Sequence, residues 1–360
     1  MKRRWVASLA VVTVLGLLAA QGCANLGYYA QSVDGEMDVL ARRQPIGELV
    51  RDPATPAPLR KRLRLVQRIR NFASRELDLP DNDSYRSYAD LNRRYVVWNV
   101  FAAPALSLKP RRWCFPLAGC LAYRGYFHRA AAERFAAGLR RRGDDVYVAG
   151  IPAYSTLGWF SDPLLSTVIH WPEADLAGLI FHELAHQELY VKGDTAFNES
   201  FAMTVEREGV RRWMQGQHSP QAYAAYLQAR RRDREFVALV MATRRRLARL
   251  YAADLPRAQK LAGKRRIFDR MRTDYRRLRR SWHDYSGYDR WMSPPLNNAK
   301  IVSVATYEKY VPAFQELLRR QGGNFKRFYV AARAIAHLPK ARRHARLNAL
   351  LTAVGKKGKG

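Results

Sequence analysis

"FHELAHQELYVKGDTAFNESFA", residues 181–202, is the stretch on which the fold turns. It sets His182, Glu183 and His186 in the order His-Glu-x-x-His, and twelve residues separate His186 from Glu199. Residues four apart share a helix face, so the two imidazoles can reach one ion. Glu183 can reach a water on that ion without being a ligand. Pro172 suits a first helical turn, and Glu173 and Asp175 suit its positive end, so an amphipathic helix is predicted from Pro172 to near Val191. Lys192-Gly193 supplies a turn, and a second helix is expected from Asp194 or Thr195 to about Met214, carrying Glu199 near its start. The plainer alternative is a helix whose histidines are only hydrogen-bonded.

Upstream, "DVYVAGIPAYSTLGWF" reads as a strand and a Gly- and Pro-punctuated loop, with residues 146–154 as an edge on which a substrate backbone could pair. A helix is expected from Ala130 to Arg142, stopped by Gly143. The β-branched and aromatic run "RRYVVWNVFAAPALSLKP" predicts one or two strands. Leu59, Leu63, Val66, Ile69 and Phe72 recur at helical spacing with Arg and Lys on the other face, which predicts a core-packed helix from Pro58. Residues 25–58 look like an irregular lead-in with one helix.

Composition bounds the whole. The 360 residues are 48% hydrophobic, enough for one large core or two modest ones, and 63 Lys+Arg against 31 Asp+Glu give a net charge of +32. Such a balance attracts polyanions, whether nucleic acid, anionic lipid or acidic polysaccharide. Much of the charge lies in residues 221–280, with 19 Lys+Arg against five Asp+Glu. Phe236, Leu239, Thr243, Leu247 and Leu250 form one apolar stripe there. Leu261, Phe268, Met271, Tyr275 and Leu278 form another after a break at Asp254-Leu255-Pro256, so a basic helical hairpin is expected. Its charged face is either simply solvated or in contact with anionic head groups. No nucleic-acid motif accompanies it, so no nucleic-acid partner is expected. P-loop, dinucleotide and G-x-S-x-G patterns are likewise missing.

Lys2-Arg3-Arg4, an apolar run from Trp5 to Ala20 and Gly22-Cys23 together read as a lipoprotein signal, with Cys23 the lipidated residue, or else as an uncleaved membrane anchor. Either reading implies an exported, membrane-anchored protein facing the periplasm. In such a compartment Cys114 and Cys120 either pair as a short disulfide or remain two buried thiols.

Five segments, "GYYAQSVDGEMDVLARRQPI", "CFPLAGCLAYRGYF", "YSTLGWFSDPLLST", "FHELAHQELYVKGDTAFNESFA" and "LNNAKIVSVATYEKYVPAF", resemble the predicted zinc aminopeptidase family of bacterial lipoproteins over nearly the whole chain. The resemblance implies an α+β, mainly helical protein: a zincin-like metallopeptidase core with a small sheet and a long basic helical hairpin. It implies one Zn2+ per chain held by His182, His186 and Glu199, Glu183 as general base, and a peptide substrate. Glu206 is the rival third ligand, with Glu188 and Glu208 behind it. An oxyanion donor is sought in the C-terminal section at His283, Tyr307 or Tyr310. An aminopeptidase also needs an acid to hold the substrate amine, for which Asp162, Glu173, Glu188 and Glu206 are near enough in sequence. The expected organisation is a signal peptide at 1–22, a core at 23–215, the hairpin at 216–290, the C-terminal part of the core at 291–350 and a disordered basic tail at 351–360. The competing class is a non-enzymatic envelope lipoprotein that binds anionic surfaces, lipid or polysaccharide, with zinc only structural.

Overall fold

The computed structural model describes residues 27–115, 119–156, 160–217, 219–304 and 309–357. The expected signal peptide, Cys23 and Tyr307 lie outside the described residues.

Around the motif, the chain forms α5 (Glu173–Glu188) and α6 (Thr195–Gly216). Asp194 caps α6 by accepting the Phe197 N–H at 3.3 Å, which satisfies one of the amides that a helix start leaves open. Between them Gly193 takes φ 78°, a left-handed conformation that costs glycine little. Asn198 then locks the turn. Its Nδ2 donates to Val191 O at 2.9 Å, and its Oδ1 accepts the Val191 N–H at 2.8 Å.

Instead of one apolar stripe, α5 buries Ala174, Leu176, Ala177, Ile180, Phe181, Leu184 and Ala185. It is a central helix, packed against both α6 and α3 (Ala57–Glu76). A Cβ built on Gly209 would stand 2.7 Å from the Phe181 ring, so glycine is what allows α5 and α6 to approach this closely. That approach brings Glu199 to the histidines.

Helix α3 buries Leu63, Val66 and Ile69 as its periodicity predicts, but its basic face is not all solvated. Arg70 is 1% exposed. It donates to the carbonyls of Ser84 at 2.8 Å and Pro80 at 2.7 Å and to Ser74 Oγ at 2.6 Å, acceptors that offset the cost of burying a guanidinium. Residues 80–84 are thereby tied to α3, close to the motif helix.

The expected small sheet is three small sheets. In the largest, β3 (Val97–Pro104) lies between β6 (Arg124–Tyr126) and β7 (Asp144–Ile151), antiparallel to both, and α4 (Arg129–Arg141) packs on it through Leu139, Val100, Ala102 and Val146. Another joins β1 (Arg43–Pro45), β2 (Ser87–Ala89) and β8 (Leu164–Leu165). In the third, β4 (Trp113–Phe115) pairs with β5 (Gly119–Leu121), where Cys114 and Cys120 stand opposite one another and are joined by a disulfide. The lead-in is more regular than composition suggests: a helix α1 over 27–41, then β1 and α2 (Ile46–Arg51).

Helices α7 (Pro220–Ala252) and α8 (Arg257–Ser281) make the basic hairpin, with Phe236, Leu239 and Leu247 meeting Phe268, Met271 and Tyr275. The short α9 (Asp289–Met292) and α10 (Asn298–Ser303) belong with it, since Met292, Leu296 and Ile301 join that cluster. The C-terminal part of the main core therefore starts later than residue 291. It comprises α11 (Val311–Arg320), α12 (Phe325–Ala336) and α13 (Lys340–Lys357), which close over α6 through Phe314, Phe328 and Leu347. Helix α13 runs to Lys357, past the expected start of the disordered tail, continuing from buried Leu347 and Leu350. Among the described residues, no helix is long and apolar enough to cross a membrane.

Candidate metal centre

The helix pair sets three donor groups around one point. His182 Nε2 and His186 Nε2 are 3.2 Å apart; Glu199 Oε2 is 3.4 Å from the first and Oε1 3.7 Å from the second. His182, His186 and Glu199 form a group that could hold a metal ion. At zinc–nitrogen distances near 2.0–2.1 Å, the edge of a tetrahedron is about 3.3–3.4 Å, and two imidazoles with a carboxylate are a common zinc donor set. The spacing and the donor chemistry fit that group.

Glu206, the rival ligand, stands behind His182 instead. Its Oε2 is 3.0 Å from His182 Nδ1, and its Oε1 accepts from Tyr226 OH at 3.4 Å. With Nδ1 held toward Glu206, Nε2 is the nitrogen that faces His186 and Glu199, the arrangement by which an outer carboxylate orients a ligating histidine. Among the described residues His186 has no such support: its buried Nδ1 finds no hydrogen-bond partner there. Glu188 is taken up by Arg333, and Glu208 by Arg211 and Arg212, so neither competes for the ion.

Charge on His182 is opposed by burial, but the Glu199 and Glu206 carboxylates outweigh that and hold its pKa well above the ordinary imidazole range. Burial, and His182 beside it, push His186 down to about 4. A neutral His186 keeps its lone pair available. Glu183 is pushed up to about 7 by burial, with His182 pulling it down, Glu199 and Asp162 pushing it up, and a hydrogen bond from Ser155 pulling it down. A carboxylate near neutrality is suited to accept a proton and give it back.

Helical spacing does not disclose what lies behind Glu183. Ser155, in the loop after β7, bridges it to Asp162: the Ser155 hydroxyl lies 3.0 Å from Asp162 Oδ2 and also hydrogen-bonds Glu183. Asp162 is 5% exposed and accepts from Thr156 N and Oγ1 as well, at 3.1 and 2.7 Å. Tyr85, buried and at φ 62°, donates its N–H to Asp162 O at 2.7 Å. A loop serine twenty-eight positions before Glu183 carries no local signal; only the turn residues around it hint at a functional loop.

Two of the expected oxyanion donors, His283 and Tyr310, are not in this cluster. His283 is exposed just past the end of α8, held at φ 54°. Tyr310 is fully buried, its ring against His344 and its N–H on Ser200 Oγ at 3.0 Å, so it packs the core between α6 and α13. Nearer the donors stand Tyr190, whose ring centre is 6.1 Å from that of His186, and Tyr123, which senses the charge of Glu199. Of the four acids considered for a substrate amine, Glu173 accepts from Trp213 Nε1 at 2.9 Å; Glu188, Glu206 and Asp162 have the partners already named.

Fold and site together define a mainly helical α+β protein with a His-Glu-x-x-His helix and a carboxylate from the following helix. The family model described as "putative aminopeptidase" matches residues 27–347, and the chain belongs to that family. Its name assigns it to the peptidases. No curated protein and no solved structure matches the chain.

Proposed function

We propose that the protein is a zinc-dependent peptidase, acting as an aminopeptidase, in which His182, His186 and Glu199 would hold the ion and Glu183 is the general base. The observation that carries this reading is the convergence of those three donor groups beside a carboxylate that is not one of them. A bound zinc ion supplies a Lewis acid for the scissile carbonyl and makes water acidic enough to deprotonate near neutral pH. Glu183 takes the proton of the attacking water and returns it to the leaving amine. Ser155 and Asp162 hold Glu183 in place for both transfers. Glu206 keeps His182 in the tautomer that presents Nε2.

A peptide can approach along β7. Asn297 Nδ2 takes the Val146 carbonyl at 3.0 Å, and Ile151 O accepts the Val96 N–H, so the backbone groups of Val148 and Gly150 alternate to the side away from β3. That edge runs into Ser155 and hence toward Glu183, an arrangement suited to pairing with an extended substrate. The protein is anchored by lipid on Cys23 and faces the periplasm, as its N-terminal sequence implies.

The test is metal analysis of the purified protein, followed by cleavage of a peptide library with free and with blocked N-termini. Near one zinc per chain and cleavage only of free N-termini support the reading. Internal cleavage of blocked peptides would keep the peptidase and remove the exopeptidase; zinc without cleavage of any peptide would remove both.

A further inference from the structure

The hairpin carries its charge unevenly. From Arg244 to Arg270, across its tip, stand ten Lys+Arg and two acids, Asp254 and Asp269. Arg249, Arg257, Arg265 and Arg266 are exposed there, and among the described residues none of them has a carboxylate partner. Toward the other end the arginines are answered: Arg230 by Asp233 at 3.1 Å, Arg231 by Glu235 at 2.9 Å and Arg279 by Asp289 at 3.4 Å. A groove of about 420 Å3 on the tip is lined by Arg246, Arg249, Arg266 and Arg270 over Leu250 and Ile267. One acid, Asp274, serves both Arg246 at 3.5 Å and Arg270 at 3.8 Å. Leu255, in the turn between α7 and α8, is 39% exposed. Bases grouped around an exposed apolar side chain suit a surface that is anionic at its head groups and apolar beneath them.

The start of the described chain lies toward the same end of the molecule. Lys264 ties the tip to the sheet, donating to Ala105 O at 2.9 Å and to Asp145 Oδ2 at 2.5 Å, beside the β3–β7 pair of Pro104 and Asp144. Tyr28, in the first turn of α1, has the Arg124 guanidinium 4.0 Å from its ring centre, and Arg124 stands opposite Val100. Val100 is four residues before Pro104, about 13 Å along β3. The rest of α1 leads the other way: Gln31 accepts the Phe127 N–H at 3.2 Å, and Asp38 pairs at 3.4 Å with Arg93, upstream of β3. Helix α1 therefore runs along the sheet with its first turn toward the hairpin tip, and Cys23 precedes Gly27 by four residues, at most about 14 Å of chain. We propose that this end of the molecule lies on an anionic membrane surface, with the arginines of the tip on phosphate head groups and Leu255 entering the interface. The orientation rests on the lipid anchor proposed for Cys23; the attraction of the tip for anionic lipid does not.

The experiment purifies the protein from membranes and reconstitutes it in vesicles of phosphatidylcholine with and without phosphatidylglycerol, a fraction of whose head groups carry a nitroxide quencher. Leu255→Cys carries one thiol-linked fluorophore, and Tyr285→Cys, past the far end of α8 and about 37 Å away, carries the same label as control. Cys114 and Cys120 are joined to each other, so they take no label. Circular dichroism confirms that each variant is folded, and mass spectrometry of the N-terminal peptide reads acylation of Cys23. If that peptide carries no acyl group, the anchor fails, and the tip is judged by itself in a Cys23→Ser background added to preformed vesicles. Quenching at residue 255 and not at 285, present with phosphatidylglycerol and lost at high salt, is the expected result. Each arginine at an anionic surface strengthens the contact about fivefold, so Arg249→Gln/Arg266→Gln should shift the tip about 25-fold toward the undocked state and reduce the quenching. Equal quenching at the two positions, or quenching at 255 that is undiminished without phosphatidylglycerol or in the double variant, overturns the inference.

Discussion

Replacing Glu206 with glutamine tests its proposed role as the group that orients His182 toward a metal ion. The substitution keeps the shape of the side chain and leaves His182, His186 and Glu199 untouched, but it replaces a charged acceptor 3.0 Å from His182 Nδ1 with a neutral amide. Losing such an outer partner typically costs about 10–100-fold in metal affinity, or about 1.4–2.7 kcal/mol. Two features of the structure favour the upper half of that range. The Glu206 carboxylate is only partly exposed, so solvent screens it weakly, and among the described residues His186 has no outer partner that could compensate. Glu199→Ala removes a donor from the ion itself and should cost more. The assay is competition for zinc against a chromogenic chelator of known affinity, run on wild type, Glu206→Gln and Glu199→Ala. Peptide hydrolysis at saturating zinc accompanies it: Glu206→Gln should recover most of its activity and Glu199→Ala only a part. Affinity unchanged in Glu206→Gln, or lost there as fully as in Glu199→Ala, refutes the assignment of Glu206 as the orienting group.

Other outcomes follow from the frame around the site. Arg343 and Asp194 form a buried pair at 2.6 Å, with His344 also on Asp194 at 2.9 Å, and Asp194 caps the helix that carries Glu199. Arg343→Met should destabilise the fold by about 3 kcal/mol in a denaturant titration, the low end for breaking a buried pair because His344 remains. Lys300 is held down to about 8 chiefly by burial, while its ammonium donates to Trp291 O at 2.8 Å and to Ser293 O. Between pH 8 and about 9.5, below the titration of unfolded tyrosines, the unfolded chain binds the more protons at this residue, so stability should rise with pH. Lys300→Met should flatten that rise in thermal melts across the same window; an identical slope would show that Lys300 does not titrate there. Asn298→Ala removes an amide that donates to Pro104 O and Ala105 O at 3.0 Å and to Ser107 O at 3.1 Å. Pro104 O keeps the Ser107 N–H and Ala105 O keeps Lys264 Nζ, so the loss falls chiefly on Ser107 O and should cost about 1–3 kcal/mol, read as a lower denaturation midpoint.

Local rules carried the parts of this molecule that local rules govern. Apolar periodicity located α3 and the hairpin, Pro172 with its acidic first turn located the motif helix, and Gly193 and Asp194 marked the turn and the cap between the helix pair of the site. Residues four apart on one helix are legible as a pair because the helix alone sets their spacing. What long-range contacts decide could not be read the same way. Glu199 and Glu206 both lie on α6 two turns apart, and only the approach of α5, permitted by Gly209, distinguishes the residue beside the imidazole nitrogens from the one behind them. Ser155 and Asp162 meet Glu183 through the loop after β7, and β1 pairs with β2, Arg43 opposite Ala89, across α2 and α3. Arg70 looks like one more residue of a solvated face until the carbonyls of Pro80 and Ser84 are placed around it. Tyr310 drew notice as a polar aromatic in a late segment; its burial against α6 makes it part of the core.

The central claim, that Glu183 serves as a base beside an ion it does not ligate, is tested most directly by measuring bound zinc and peptide turnover together in Glu183→Gln. The glutamine keeps the volume of the side chain and leaves the three donors in place, so zinc should remain near one per chain while hydrolysis falls about 100–10,000-fold for want of a proton acceptor. A Glu183→Gln protein that holds its zinc and hydrolyses peptides at the wild-type rate would contradict the mechanism.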